Sequence, residues 1–121
     1  MKKLYKEYVG RLMESSAYET EEFKSFARKA KNRLKKDLQS DGLELAGWSK
    51  GHFEVSGFIF NPNTSKYAYF IIGDMRWKCL GKQPLDSCLV RTCKDIKDYH
   101  GGTNNFCRCY DIVAKAKALT A

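Results

Sequence analysis

The residues best suited to chemistry lie between Leu89 and Cys109, in the stretch LVRTCKDIKDYHGGTNNFCRC. Gly101 and Gly102 are followed by Thr103, Asn104 and Asn105. That combination supplies positive backbone dihedrals and an N-cap, and it can leave backbone N–H groups aimed at an anion. Arg91 and Lys94 precede the turn and would bring cationic side chains to the same anion. Gly101, Gly102, Thr103 and Asn104 are therefore a candidate anion loop. The same residues also make an ordinary connection from a strand to a capped helix starting near Phe106.

Thiols are the second resource. Cys107 and Cys109, with His100 nearby and Cys88 or Cys93 within reach, offer soft metal ligands. A zinc module, however, separates paired ligands by two residues and repeats the pair, which this spacing does not do. Cys109 also falls on an apolar stripe, which suits a small buried hydrophobe. A nucleophile pair of Cys107 and His100 would require the two to meet in space, and their spacing does not require it. His52 reads as a polar residue at a strand start. Asp74, Asp95, Asp98 and Asp111 form no paired carboxylate motif, and capping or turn roles account for them. The chain contains no P-loop and no dinucleotide fingerprint. We assign no catalytic residue, metal or cofactor, and expect a binding protein, not an enzyme.

Charge is the third resource. Lys and Arg number 22 against 14 Asp and Glu, a formal charge of +8, with a pI near 9.3. Such an excess favours polyanionic partners, nucleic acid or an acidic protein face. It is concentrated: residues 23–36 hold seven basic residues and no acid. At 100° per residue, Lys24, Arg28, Lys31 and Lys35 line one flank of an apolar stripe, and Lys29, Arg33 and Lys36 line the other. These side chains serve either as solvated cations snorkelling beside a core or as a surface for nucleic acid. Lys24, Arg28, Lys31, Arg33 and Lys35 are the candidate binding set, with Arg76 and Trp77 in a later loop as additional anchors for a partner.

The elements that must position these groups follow from periodicity. Leu4, Tyr8 and Leu12 predict a short helix over 3–13. Ser16 with Glu19 has the form of a capping box, and Thr20 is a second cap candidate. A longer helix then runs to about Gln39 on the stripe Phe23, Phe26, Ala27, Ala30, Leu34, Leu38, and Gly42 ends it. From Leu43 the period becomes two, predicting strands in LELAGWS, HFEVSGFIFN, KYAYFIIGD and SCLVRTC. Asn61 to Ser65 form a hairpin turn. The far half of the second strand is apolar on both faces, and Tyr67 and Tyr69 either pair across the hairpin or stack bases. Cys109, Ile112, Val113, Ala116 and Leu119 predict a closing helix.

The expected fold is α+β: basic N-terminal helices, a three- to four-stranded antiparallel sheet and a C-terminal helix. Residues 1–121 form one domain, with a basic helical part at 1–40 and the sheet and closing helix at 43–121. Helices on one face would leave the other face of the sheet free for binding. No apolar run of membrane-spanning length and no signal-peptide core is present, so a cytoplasmic location is expected, with no membrane partner. Five cysteines without a secretion signal argue for reduced thiols and against a disulfide framework.

The segment HFEVSGFIFNPNTSKYAYFIIGDMRW and the later LVRTCKDIKDYHGGTNNFC together resemble short proteins of phages and conjugative elements in Firmicutes. The pattern is carried by Ser56, Gly57, Phe58, Asp74, Arg76, Arg91, Thr92, Asp98, Tyr99, Gly101, Gly102 and Asn104, over about half the chain. The layout is also similar to type II anti-CRISPR proteins, some of which join a basic helical part to a small sheet and closing helix. That resemblance implies an inhibitor of a host Cas9-type nuclease, acting on the nuclease or its guide RNA. The runner-up is a DNA- or RNA-binding accessory protein of the same element. The helix, strands, helix order also looks like a double-stranded RNA-binding domain. Here, though, the residues 103–108 lack the lysines which that family uses to hold phosphates, and this weakens the duplex reading.

Overall fold

Ala27, Ala30, Leu34 and Leu38 recur at spacings of three and four. In a computed structural model of the protein they are the buried stripe of helix α1 (Glu21–Ser40). The structure describes residues 21–50, 54–73, 87–98 and 101–121. The helix expected at 3–13, the caps at Ser16, Glu19 and Thr20, and residues His52, Asp74, Arg76, Trp77, Tyr99 and His100 lie outside the described residues. Helix α1 ends where the glycine predicts. Leu43 N–H donates to the Leu38 carbonyl at 2.9 Å and Gly42 N–H to that of Gln39 at 3.1 Å, a Schellman closure with Gly42 at φ 75°.

The switch to period two produces β1 (Glu44–Lys50), β2 (Glu54–Asn61), β3 (Lys66–Gly73) and β4 (Ser87–Cys93). A fifth strand, β5 (Asn105–Arg108), follows, then a 3-10 turn at Cys109–Asp111 and helix α2 (Ile112–Leu119). The sheet is an antiparallel meander in the order β1-β2-β3-β4-β5. The count of three to four strands is corrected to five, and the helix expected from Phe106 begins at Ile112. Four residues are too few to display an alternation in sequence. In the sheet Phe106 pairs with Leu89 and Cys107 with Cys88, so successive side chains point to opposite faces.

Both helices pack on the same face. Ala27, Ala30, Leu34 and Leu38 of α1 join Val55, Ile59, Ala68, Phe70, Ile72, Cys88 and Val90 of the sheet and Ile112 and Ala116 of α2 in one core. Leu34 and Leu38 are fully buried and contribute about 1.5–3 kcal/mol each. The opposite face is not left free. Phe58, Tyr69, Ile71 and Leu89 form a second cluster there, each less than 8% exposed. The strands β2 to β4 carry apolar residues at both parities, which is the sequence mark of a sheet buried on both sides.

The β2–β3 turn does more than reverse the chain. The Asn61 side chain accepts from Asn63 N–H at 3.0 Å and donates to the Thr120 carbonyl at 3.2 Å. Thr64 Oγ1 donates to the same carbonyl at 2.6 Å, and Thr120 Oγ1 to the Ala116 carbonyl at 2.7 Å. Asn61 and Thr120 are both buried, so these bonds satisfy groups that would otherwise be costly inside. They fix the end of α2 against the hairpin.

Candidate functional site

Two regions of the chain were candidates to hold an anion, and they are built differently. In the glycine loop the anion is already present, as the carboxylate of Asp98. Its Oδ1 accepts the Gly101 N–H at 2.7 Å and its Oδ2 accepts the Lys94 N–H at 3.0 Å. A Cβ on Gly101 would collide with that carboxylate. Gly102 sits at φ 78°, and a Cβ there would drive into the Thr92 carbonyl of β4. The two glycines are thus required for close approach, one to a side chain and one to a neighbouring backbone. Asp95 acts in the same economy, accepting Lys97 N–H at 2.8 Å. The turn roles expected of these aspartates are what the structure contains. Thr103 and Asn104 are exposed and lead into β5 and do not cap a helix.

Arg91 lies on the face away from α1, its guanidinium 4.6 Å from the centre of the Tyr69 ring. Tyr69 in turn meets Phe58 edge-on at 5.1 Å, and Tyr67 meets Phe60 at 4.6 Å. Both tyrosines pair with the residue directly opposite in the hairpin register. Tyr69 is 7% exposed, so it presents no ring for a base to stack on. Gly57 of the Ser56-Gly57-Phe58 motif has a packing reason as well: a Cβ there would stand 2.8 Å from the Phe70 ring.

Among the described residues, Cys88, Cys107 and Cys109 gather where β4 meets β5, while Cys93 packs against the Tyr69 cluster on the other face. Cys88 and Cys107 face each other in register with their sulfurs 3.4 Å apart. The hydrogen bond with Cys107 acts to lower the Cys88 pKa, but the bond with Cys109 and burial outweigh it and hold the thiol well above its ordinary range. The Cys107 thiol is raised by its bond to Cys88 and by desolvation. Burial, then the Asp98 charge, pushes Cys93 up to about 11. Thiols held neutral are poor nucleophiles and poor metal ligands. No cluster of metal-binding character occurs among the described residues.

The second region is the exposed flank of α1. Lys24 is paired with Glu21 at 3.2 Å and Arg33 with Asp37 at 3.3 Å. Arg28, Lys31 and Lys35 have no carboxylate partner among the described residues. Lys31 and Lys35, one turn apart, form one wall of a cleft of about 220 Å³ whose other wall is the edge strand β1. Leu45, Ala46, Gly47 and Trp48 line it there. Trp48 is half-buried: part of its ring packs against Phe70, with centroids 6.3 Å apart. At Ala46 the pairing of β1 with β2 slips by one residue, so that Leu45 faces Ile59 but Gly47 faces Phe58. This bulge bends the edge of the cleft.

Of the expected binding residues, the fold brings together Lys31 and Lys35, with Arg28 one turn before them. It puts Arg91 on the opposite side of the sheet, and Lys94, exposed, where β4 runs into the glycine loop. Trp48 was not singled out from the sequence. The available signal was a tryptophan in the strand directly after a basic helix, placed by the tight turn at Gly42. Compared with known proteins, the chain matches no family model, no curated protein and no solved structure.

Proposed function

We propose that this chain is a non-enzymatic protein that engages nucleic acid through the basic flank of α1. The observation that carries the reading is the set Arg28, Lys31 and Lys35, cations on one flank with no internal carboxylate partner among the described residues. Cations left without a carboxylate partner on a helix flank release counterions when they meet phosphates, which is the main source of affinity for a nucleic-acid backbone. The glycine loop closed on Asp98, the thiols held neutral and the paired tyrosines are weaker candidates, because their polar groups and rings already have partners within the fold.

In its specific form, drawn from the resemblance to anti-CRISPR proteins, the nucleic acid is the guide RNA of a Cas9-type nuclease in the cytoplasm of a bacterial host, and the protein inhibits that nuclease. The alternative is an accessory DNA- or RNA-binding protein of a mobile element. A cleavage assay decides between them. Inhibition of target cleavage, abolished by replacing Lys24, Arg28 and Lys31 with Glu, supports the inhibitor. Sequence-tolerant binding to bare strands with cleavage unaffected assigns the accessory role. If the wild type binds neither nuclease nor nucleic acid, the basic flank is only a solvated surface and the proposal fails.

A further inference from the structure

The cleft beside β1 adds something that charge alone does not provide. Arg28, Lys31 and Lys35 follow one another at spacings of three and four on one flank of α1, and Lys31 and Lys35 stand about 6 Å apart along the axis. The track ends at a cleft of about 220 Å³ whose far wall contains the half-buried ring of Trp48. That volume is below the roughly 300–1,000 Å³ of pockets that enclose drug-sized ligands, so it suits a single planar group and not a whole metabolite. Cations in line on one wall and an aromatic ring on the other are the two components of a single-strand binding groove, one for the backbone and one for a base.

We infer that the Lys31–Lys35–Trp48 cleft is a nucleotide subsite for single-stranded nucleic acid, in which the two lysines hold successive phosphates and the exposed part of the Trp48 ring receives an unpaired base. The inference rests on the basic-flank reading above and deepens it. A duplex keeps its bases stacked inside and cannot deliver one to a ring set back in a cleft, whereas a single strand can splay a base outward. An acidic peptide adding to the β1 edge is the rival occupant. The bulge at Ala46 works against it, because a slip in the ladder interrupts the row of backbone groups that an added strand would need.

Emission is read on the full chain carrying Trp77→Phe, since the protein has two tryptophans and the signal must come from Trp48, and affinities are read on the chain that keeps Trp77, itself a candidate anchor. Probes are a short oligothymidylate, an oligouridylate, the matching duplex, heparin as a polyanion without bases, and a polyglutamate peptide. The expected result is binding of both single strands with quenching of Trp48 emission, and binding of heparin with emission unchanged. Trp48→Ala should weaken single-strand binding by about 5- to 150-fold, the loss of one base stack, and leave heparin binding as it was. Should that variant unfold, Trp48→Phe keeps the packing on Phe70 and holds single-strand affinity within a few-fold, while the quenching measurement needs no change at Trp48 at all. Strands and heparin binding alike, with emission unmoved, would overturn the subsite and leave the basic flank standing. Equal quenching by the duplex, or stronger binding of polyglutamate, would also overturn it. Failure of every polyanion to bind would remove the underlying reading as well.

Discussion

The glycine loop and the basic flank of α1 both begin as places where positive potential could hold an anion, and the fold treats them in opposite ways. The loop closes on itself: Asp98 takes the backbone N–H groups of Lys94 and Gly101, and the glycines let the carboxylate and the β4 backbone come close. The flank stays open, with Arg28, Lys31 and Lys35 presented to solvent or to the cleft beside Trp48. A polar motif with its partners supplied internally is part of the architecture. Charge without an internal partner is what remains to act on another molecule.

The comparison can be broken most forcefully at Gly102. Gly102→Val combines a positive φ with a collision against Thr92 and should cost about 3 kcal/mol or more, read as a large drop in the thermal unfolding midpoint. A variant as stable as wild type would mean that the loop is not built as described. Asp98→Ala comes next. It strips the acceptor from two backbone donors and should cost about 1–3 kcal/mol in chemical denaturation, without lowering affinity for heparin or oligonucleotide. Weaker polyanion binding in the folded Asp98 variant would return the loop to the list of binding elements.

The flank should behave in reverse. Replacing Lys31, part-buried, and Lys35, exposed, together by Ala should change stability by no more than about 1 kcal/mol, because surface substitutions away from special features each stay within about 0.5 kcal/mol. The same change should reduce oligonucleotide affinity at least several-fold in a filter-binding or anisotropy titration. The smallest effect expected is alkaline. Cys93 is raised from its ordinary 9.0 to about 11 by burial, so the folded state prefers the neutral thiol. That preference stabilises the protein fully below about pH 9, and it is lost as pH rises through 11, where the unfolded chain has already ionised. Cys93→Ser should flatten the fall in unfolding midpoint across that window. An unchanged fall would point to other groups.

Much of the architecture was legible because it is periodic. The stripe on α1, the stop at Gly42 and strands β1 to β4 follow from spacing, and the hairpin from Asn61, Pro62 and Asn63. Strand β5 was not legible, since four residues flanked by turn residues look like the entry to the helix that follows. The burial of the second sheet face was half legible, in the apolar residues at both parities of β2 and β3. The basic flank could be read from sequence as a cluster, but not which cations find partners: Glu21 and Asp37 lie on the same helix and neutralise Lys24 and Arg33. Trp48 was hidden because its value comes from packing. Only the turn after α1 and the bulge at Ala46 bring its ring beside Lys31 and Lys35. The Asp98 clamp was hidden for the same reason, although its residues were conspicuous as a motif.

The most direct test of the central claim is the salt dependence of oligothymidylate binding, measured in parallel on the wild type and on the double variant Lys31→Ala, Lys35→Ala. If these two lysines contact phosphates, the slope of log affinity against log salt should be shallower in the variant by about 1.4, the loss of two single-strand phosphate contacts. Parallel lines for the two proteins would contradict the account and place the binding surface elsewhere.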